Sequence, residues 1–195
     1  MQFAQGAPRR AAVLIVWFVG ALWVLEIADA VLPMRFDEYG IRPRETDALE
    51  GIVLAPLLHA GFGHLVSNTV PLLVMGFFLA LSGVRTFVAV TAVVWLVSGI
   101  GTWFVGQDGS IHVGASGIVF GWLVHLAVRG LVNRDGGQIV LGGIMIIAYG
   151  SILWGVLPGT PGVSWEAHLF GALGGLLAAF VVGERKPPRQ DPPWA

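Results

Sequence analysis

The amino-acid sequence predicts an all-α polytopic membrane protein, a bundle of six transmembrane helices, and three observations carry that prediction. Of 195 residues 55% are hydrophobic and only 12% charged, too little charged surface to keep a soluble domain of this size in solution. The apolar residues come in continuous blocks without the in–out alternation of a membrane barrel, so helices are the spanning element. Six blocks, near 11–32, 65–81, 86–105, 116–132, 139–157 and 165–182, each have roughly the length needed to cross a ~30 Å hydrocarbon core, the second and fourth being short.

The first block follows Arg9 and Arg10. Ala28-Asp29-Ala30 near its end imitates a signal-peptidase site, but the stretch is long for a signal core and is read as a retained helix. Glu26 and Asp29 fall at its end, where an interfacial position spares them deep burial. The loop that follows, about 33–63, mixes charges with the apolar run Ile52–Leu58. A loop of this length is expected to have structure of its own and to lie partly in the outer interface. With both termini cytoplasmic, Arg9, Arg10, Arg85, Arg129, Arg134, Arg185, Lys186 and Arg189 fall inside. Arg35, Arg42 and Arg44 fall outside, beside Asp37, Glu38, Glu45, Asp47 and Glu50, and the positive-inside rule favours this orientation. Residues 1–184 form one domain, and 185–195 a short proline-rich cytoplasmic tail expected to be disordered.

A net charge of −1 gives no global field to recruit nucleic acid. The absence of cysteine excludes disulfides and thiolate chemistry. Lys186 as the one lysine, with abundant Gly, Ala and Val, points to a GC-rich bacterial genome, and so to the plasma membrane.

Polar residues in or beside spans are functional candidates, and they form three clusters. Gly114-Ala115-Ser116-Gly117 opens the fourth block. A serine at a helix N-terminus has backbone N–H groups beside it able to hold an oxyanion, and is equally read as an N-cap. His168 is followed by Gly171 and Gly175 on its own helix face, and Gly117 and Gly121 adjoin Ser116 in the same manner. Two such small-residue faces let helices approach closely. His64 and Asn68, four apart, share a face at the start of the second span, and suit either oxyanion donation or interhelical hydrogen bonds. His59, His64, His112 and His168 have no carboxylate at metal-ligand spacing, so no metal and no cofactor is expected.

Together these clusters resemble the rhomboid family of intramembrane serine proteases, over nearly the whole chain: six spans, a long first loop, H-x-x-x-N, G-x-S-G and A-H-x-x-G-x-x-x-G. The resemblance implies Ser116 as nucleophile and His168 as its base. It also implies an oxyanion hole from His64, Asn68 and the Ser116 N–H, His59 stabilising the first loop, and single-span membrane proteins as substrates. The family's tyrosine one turn after the nucleophile stands here as Phe120, which implies stacking on the histidine without a hydroxyl. A Trp-Arg pair found in the first loop of some members is absent. A non-catalytic rhomboid-like scaffold that binds membrane-protein clients is the alternative reading.

Other polar residues are expected to be structural. Glu166, two residues before His168, falls on roughly the opposite helix face and cannot orient its ring. Asp108 lies in the third loop, unplaced by sequence. His112 is read as a loop residue near the site, and His125, Ser67, Ser82, Ser98 and Ser151 as packing residues.

Overall fold

In hydrocarbon every backbone N–H and C=O must be satisfied within the protein, and continuous apolar blocks meet that demand as helices. The computed structural model describes residues 6–182, which form α1 (Ala7–Val31), α2 (Gly51–Leu54), α3 (Phe62–Ala80), α4 (Val84–Val105), α5 (Ser116–Asn133), α6 (Gly136–Tyr149) and α7 (Trp165–Val181). Among the described residues the only β pairing is an isolated antiparallel bridge between Ile41 and His112. The all-α class therefore holds. α1, α3, α4, α5, and α6 with its 3₁₀ continuation Gly150–Val156, are long and apolar enough to cross a membrane, and α7 is a shorter apolar helix of 17 residues. The expected tail, 185–195, lies outside the described residues.

Two blocks differ from their expected form. α1 begins four residues early, with Pro8 in its first turn, where the missing N–H is harmless. The fifth block begins at Gly136 because Asp135 accepts the Gln138 N–H at 2.9 Å and caps the helix. It leaves α geometry at Tyr149, becoming a 3₁₀ turn over Gly150–Val156. Hydropathy reports composition and is silent on hydrogen-bond register, so a change from i→i+4 to i→i+3 bonding leaves no mark in it.

The surface is inverted relative to a water-soluble protein: Ile147, Trp154 and Trp17 are 89%, 76% and 75% exposed. Lipid is the solvent that such a surface fits. Helix association in lipid gains little from apolar burial and depends on close packing, and α7 shows how the sequence provides it. A Cβ on Gly171 would stand 3.0 Å from Gly117 Cα, and one on Gly175 would stand 2.8 Å from Gly121 Cα. On its other side, Gly174 packs against Val94 of α4, and Gly101 of α4 lies under the Phe170 ring. α7 is thus wedged between α5 and α4 with bare backbone at each contact.

The first loop is tied to the end of α4. The Arg44 backbone N–H donates to Trp103 O at 3.1 Å. Its guanidinium donates to Phe104 O at 2.8 Å and Gly106 O at 2.7 Å, and also pairs with Asp108. Arg44 takes a left-handed backbone, φ 62°, uncommon for a side chain of this size, and held here by those four acceptors. Asp108, unplaced by sequence, is the charge partner of a loop clamp. The clamp fixes the end of α4 and the start of the segment that leads into Ser116.

Candidate active site

Ser116 is the first residue inside α5; the N-cap position belongs to Ala115, which makes no side-chain cap bond. The capping alternative therefore falls away, and the Ser116 hydroxyl is free to point elsewhere. It meets His168: Oγ and Nε2 are 2.8 Å apart. α5 and α7 run side by side in the same direction, so residues at their two starts share one end of the bundle, and the glycine contacts bring them within reach.

The direction of the proton follows from the other ring nitrogen. His168 Nδ1 lies 2.9 Å from Gly155 O, and a carbonyl only accepts, so Nδ1 carries the hydrogen. Nε2 of the neutral ring is then a lone pair facing the Ser116 O–H. A backbone carbonyl from the 3₁₀ turn thus orients the imidazole, the task performed by a carboxylate in a Ser-His-Asp triad. No sequence pattern marks a carbonyl, and Gly155 went unseen in the sequence. The ring is also held by a stack on Phe120, with centroids 4.0 Å apart and 9° between planes. Packing on Phe120 needs no hydroxyl.

His64 and Asn68 border the same cavity as Ser116 and His168, a space of about 790 Å³. Asn68 Nδ2 donates to His64 O at 3.2 Å, which uses one amide hydrogen and leaves the second. Gly114 has φ 116°, and a Cβ there would come 2.7 Å from His64 Nε2; the glycine lets the His64 ring lie over the chain. Gly114 N–H is spent on Ala55 O, and Ala115 N–H points to His59 Nε2 at 3.4 Å. The Ser116 N–H, in the first turn of α5, has no intrahelical acceptor. His59 therefore abuts the segment before Ser116, beyond its expected place in the first loop. It is 2% exposed, and burial pushes its imidazole down to about 4, with His64 adding to the effect. Accepting a hydrogen bond at Nε2 agrees with this neutral form.

A second chain of hydrogen bonds borders the cavity. Ser110 gives its hydroxyl proton to Gln107 O at 2.5 Å, so at 2.7 Å it accepts from His112 Nε2–H. Nδ1 of His112 then accepts from the Ser164 hydroxyl, also at 2.7 Å. Ser164 occupies the N-cap of α7 without using its side chain there. With the Ile41 backbone pairing, His112 joins the first loop, the segment before α5 and the start of α7. Burial lowers its pKa and the Glu166 charge opposes that. Sequence placed His112 near the site, and missed Ser110 and Ser164. His125, by contrast, is buried far along α5 and takes no part.

Glu166 makes no contact with the His168 ring nitrogens, whose partners are Gly155 and Ser116. It nonetheless borders the cavity, because the cavity wraps the N-terminal end of α7 and touches more than one face of it.

A family model described as the rhomboid domain matches residues 47–185. The chain belongs to the rhomboid family. Among relatives of this rhomboid, "Uncharacterized protein Rv1337" of Mycobacterium tuberculosis is 46% identical over 182 residues, covering 88% of this chain and 76% of its own. "Uncharacterized protein ML1171" of Mycobacterium leprae is 45% identical over 184 residues, with 89% and 73% covered. A Bacillus subtilis protein named "Putative rhomboid protease YdcA" is 30% identical over 136 residues, 67% of this chain and 65% of the relative. Membership and the apolar helices together make this rhomboid a multi-pass membrane protein.

Proposed function

We propose that this rhomboid is an intramembrane serine endopeptidase that cuts transmembrane segments of single-span membrane proteins. The observation that carries the reading is the Ser116 Oγ to His168 Nε2 approach of 2.8 Å with Nδ1–H committed to Gly155 O. This leaves Nε2 as the basic atom facing the hydroxyl.

In the proposed reaction His168 Nε2 takes the Ser116 proton as Oγ attacks a peptide carbonyl carbon. The resulting oxyanion is held by the Ser116 N–H, the free Asn68 amide hydrogen and His64. Collapse expels the amine, which receives the proton from Nε2. Water, deprotonated by the same nitrogen, then attacks the acyl-enzyme and frees Ser116. A helix hides its carbonyls in i→i−4 bonds, so a substrate helix must unwind locally before attack. Glycine or proline near the cut site lowers that cost. In this reading the site lies toward the outer face of the plasma membrane with both termini cytoplasmic, the orientation that the distribution of arginines favours.

The test is cleavage of a single-span substrate in liposomes by wild type and Ser116→Ala. Cleavage is expected to vanish in the variant while its thermal unfolding is unchanged. A fluorophosphonate is expected to label Ser116 only when His168 is present. Cleavage that survives Ser116→Ala ends the reading.

A further inference from the structure

Resting on the protease reading, we propose that Glu166 is a specificity-determining residue. It selects substrates carrying lysine or arginine within about three residues of the scissile bond, given ~3.3 Å per residue in an extended chain. Only Ala167 separates it from His168, whose ring meets Ser116 Oγ.

Glu166 is 6% exposed, and it borders the cavity that holds Ser116 and His168. Among the described residues no side chain or N–H donates a hydrogen bond to its carboxylate. The residues around this cavity include no lysine and no arginine, and no second carboxylate. The nearest side chains that could carry positive charge are imidazoles already committed. His112 is bonded at both nitrogens, to Ser110 and Ser164, and His168 is bonded at both, to Gly155 and Ser116.

An ionised carboxylate is acceptor-only, and this one has no lysine or arginine beside it where it meets the cavity. The favourable position in the first turn of α7, at the positive end of its dipole, explains why the group is tolerated there. It does not supply a donor. Water satisfies the carboxylate in a cavity of this size, and an arriving substrate cation takes that water's place. The chemistry that fits is an ammonium or guanidinium delivered beside the scissile bond. A metal ion fits poorly, because no three His, Cys, Asp or Glu side chains converge among the described residues. A triad-like role is closed off by Gly155 at His168 Nδ1.

The experiment uses liposomes and a substrate panel in which Lys, Gln or Glu stands in turn at each position within about three residues of the cut. At the responsive position, kcat/KM for Lys over Gln is expected to be roughly 10- to 100-fold in wild type, the scale of one hydrogen bond to a charged group. The ratio should fall close to one in Glu166→Gln, be partly kept in Glu166→Asp, and turn in favour of the Glu substrate in Glu166→Lys. Because each ratio compares two substrates on one protein, partial misfolding cancels. A wild-type ratio near one at every position, or a preference that survives Glu166→Gln, overturns the proposal. If wild type cleaves nothing, the protease reading fails instead. Binding of the Lys and Gln substrates to Ser116→Ala protein then decides the present proposal: equal Kd values overturn it, and a Lys preference abolished by adding Glu166→Gln upholds it.

Discussion

The seam between α5 and α7 and the span formed by α6 with its 3₁₀ continuation are both rich in glycine, and apart from Gly142, which packs on the α5 backbone at Leu126 and Ala127, they use it differently. In the seam, Gly171 and Gly175 press on the backbone of Gly117 and Gly121, and α5 is the most enclosed of the five long spans. On α6, Gly136 and Gly143 face open space, and most of the span lies on the outside of the bundle. Yet the exposed span delivers Gly155 O to His168. The lesson is that the Ser116–His168 pair is assembled from one tightly packed wall and one lightly packed wall. Reach is set by the first, ring orientation by the second.

Gly171→Ala breaks this arrangement most severely. The added methyl meets Gly117 backbone, which cannot yield as a side-chain tip can. Overpacking of this kind costs about 1–3 kcal/mol. Moving Ser116 from His168 by ~1 Å costs on the order of 100-fold in rate, read as kcat in liposomes beside thermal unfolding.

Acid probes the same wall. The pKa of His59 is lowered to about 4 in the folded protein, from the ordinary ~6.5 of an unfolded chain. The unfolded chain therefore binds the extra proton, and the stability tied to neutral His59 is complete above pH ~6.5 and lost as pH falls toward ~4. Between pH 7 and pH 5 this is worth about 2 kcal/mol. His59→Gln is expected to flatten that part of the fall in unfolding temperature.

Gly155→Ala tests the lightly packed wall. Its methyl would stand 3.1 Å from His168 Nδ1 and 3.0 Å from Phe120 Cζ, so the turn has to shift by a few tenths of an ångström. Loss of about tenfold in kcat is expected from that smaller displacement, with little change in unfolding temperature. Gly143→Ala is expected to do least. With open space at its Cβ, it gains roughly 0.5–1 kcal/mol of helix propensity and leaves kcat unchanged. A destabilised Gly143→Ala protein, or a Gly171→Ala protein indistinguishable from wild type, would erase the contrast between the walls.

Much of this was legible in the sequence. Lipid permits so few backbone solutions that apolar blocks sufficed for the all-α class and for the approximate place of each helix. Glycine spacing on the fourth and sixth blocks pointed to the approach of Ser116 and His168, because small faces are visible one residue at a time. What escaped was of two kinds. Gly155 acts through its carbonyl, and every residue has one. Glu166 was set aside on helical period alone, which holds for a helix viewed side-on and fails at a helix end, where a cavity meets several faces at once. Ser110 and Ser164 reveal themselves only once the loops carrying them converge on His112.

The unequal lengths of the two segments that meet at His168 carry one further consequence. Fourteen α residues followed by seven 3₁₀ residues reach about 35 Å, whereas the 17 residues of α7 reach only about 26 Å. A bilayer whose thickness suits one is mismatched to the other. Acyl chains touching this side of the protein must stretch beside one neighbour and compress beside the next, leaving a local deformation in the membrane along this side of the bundle.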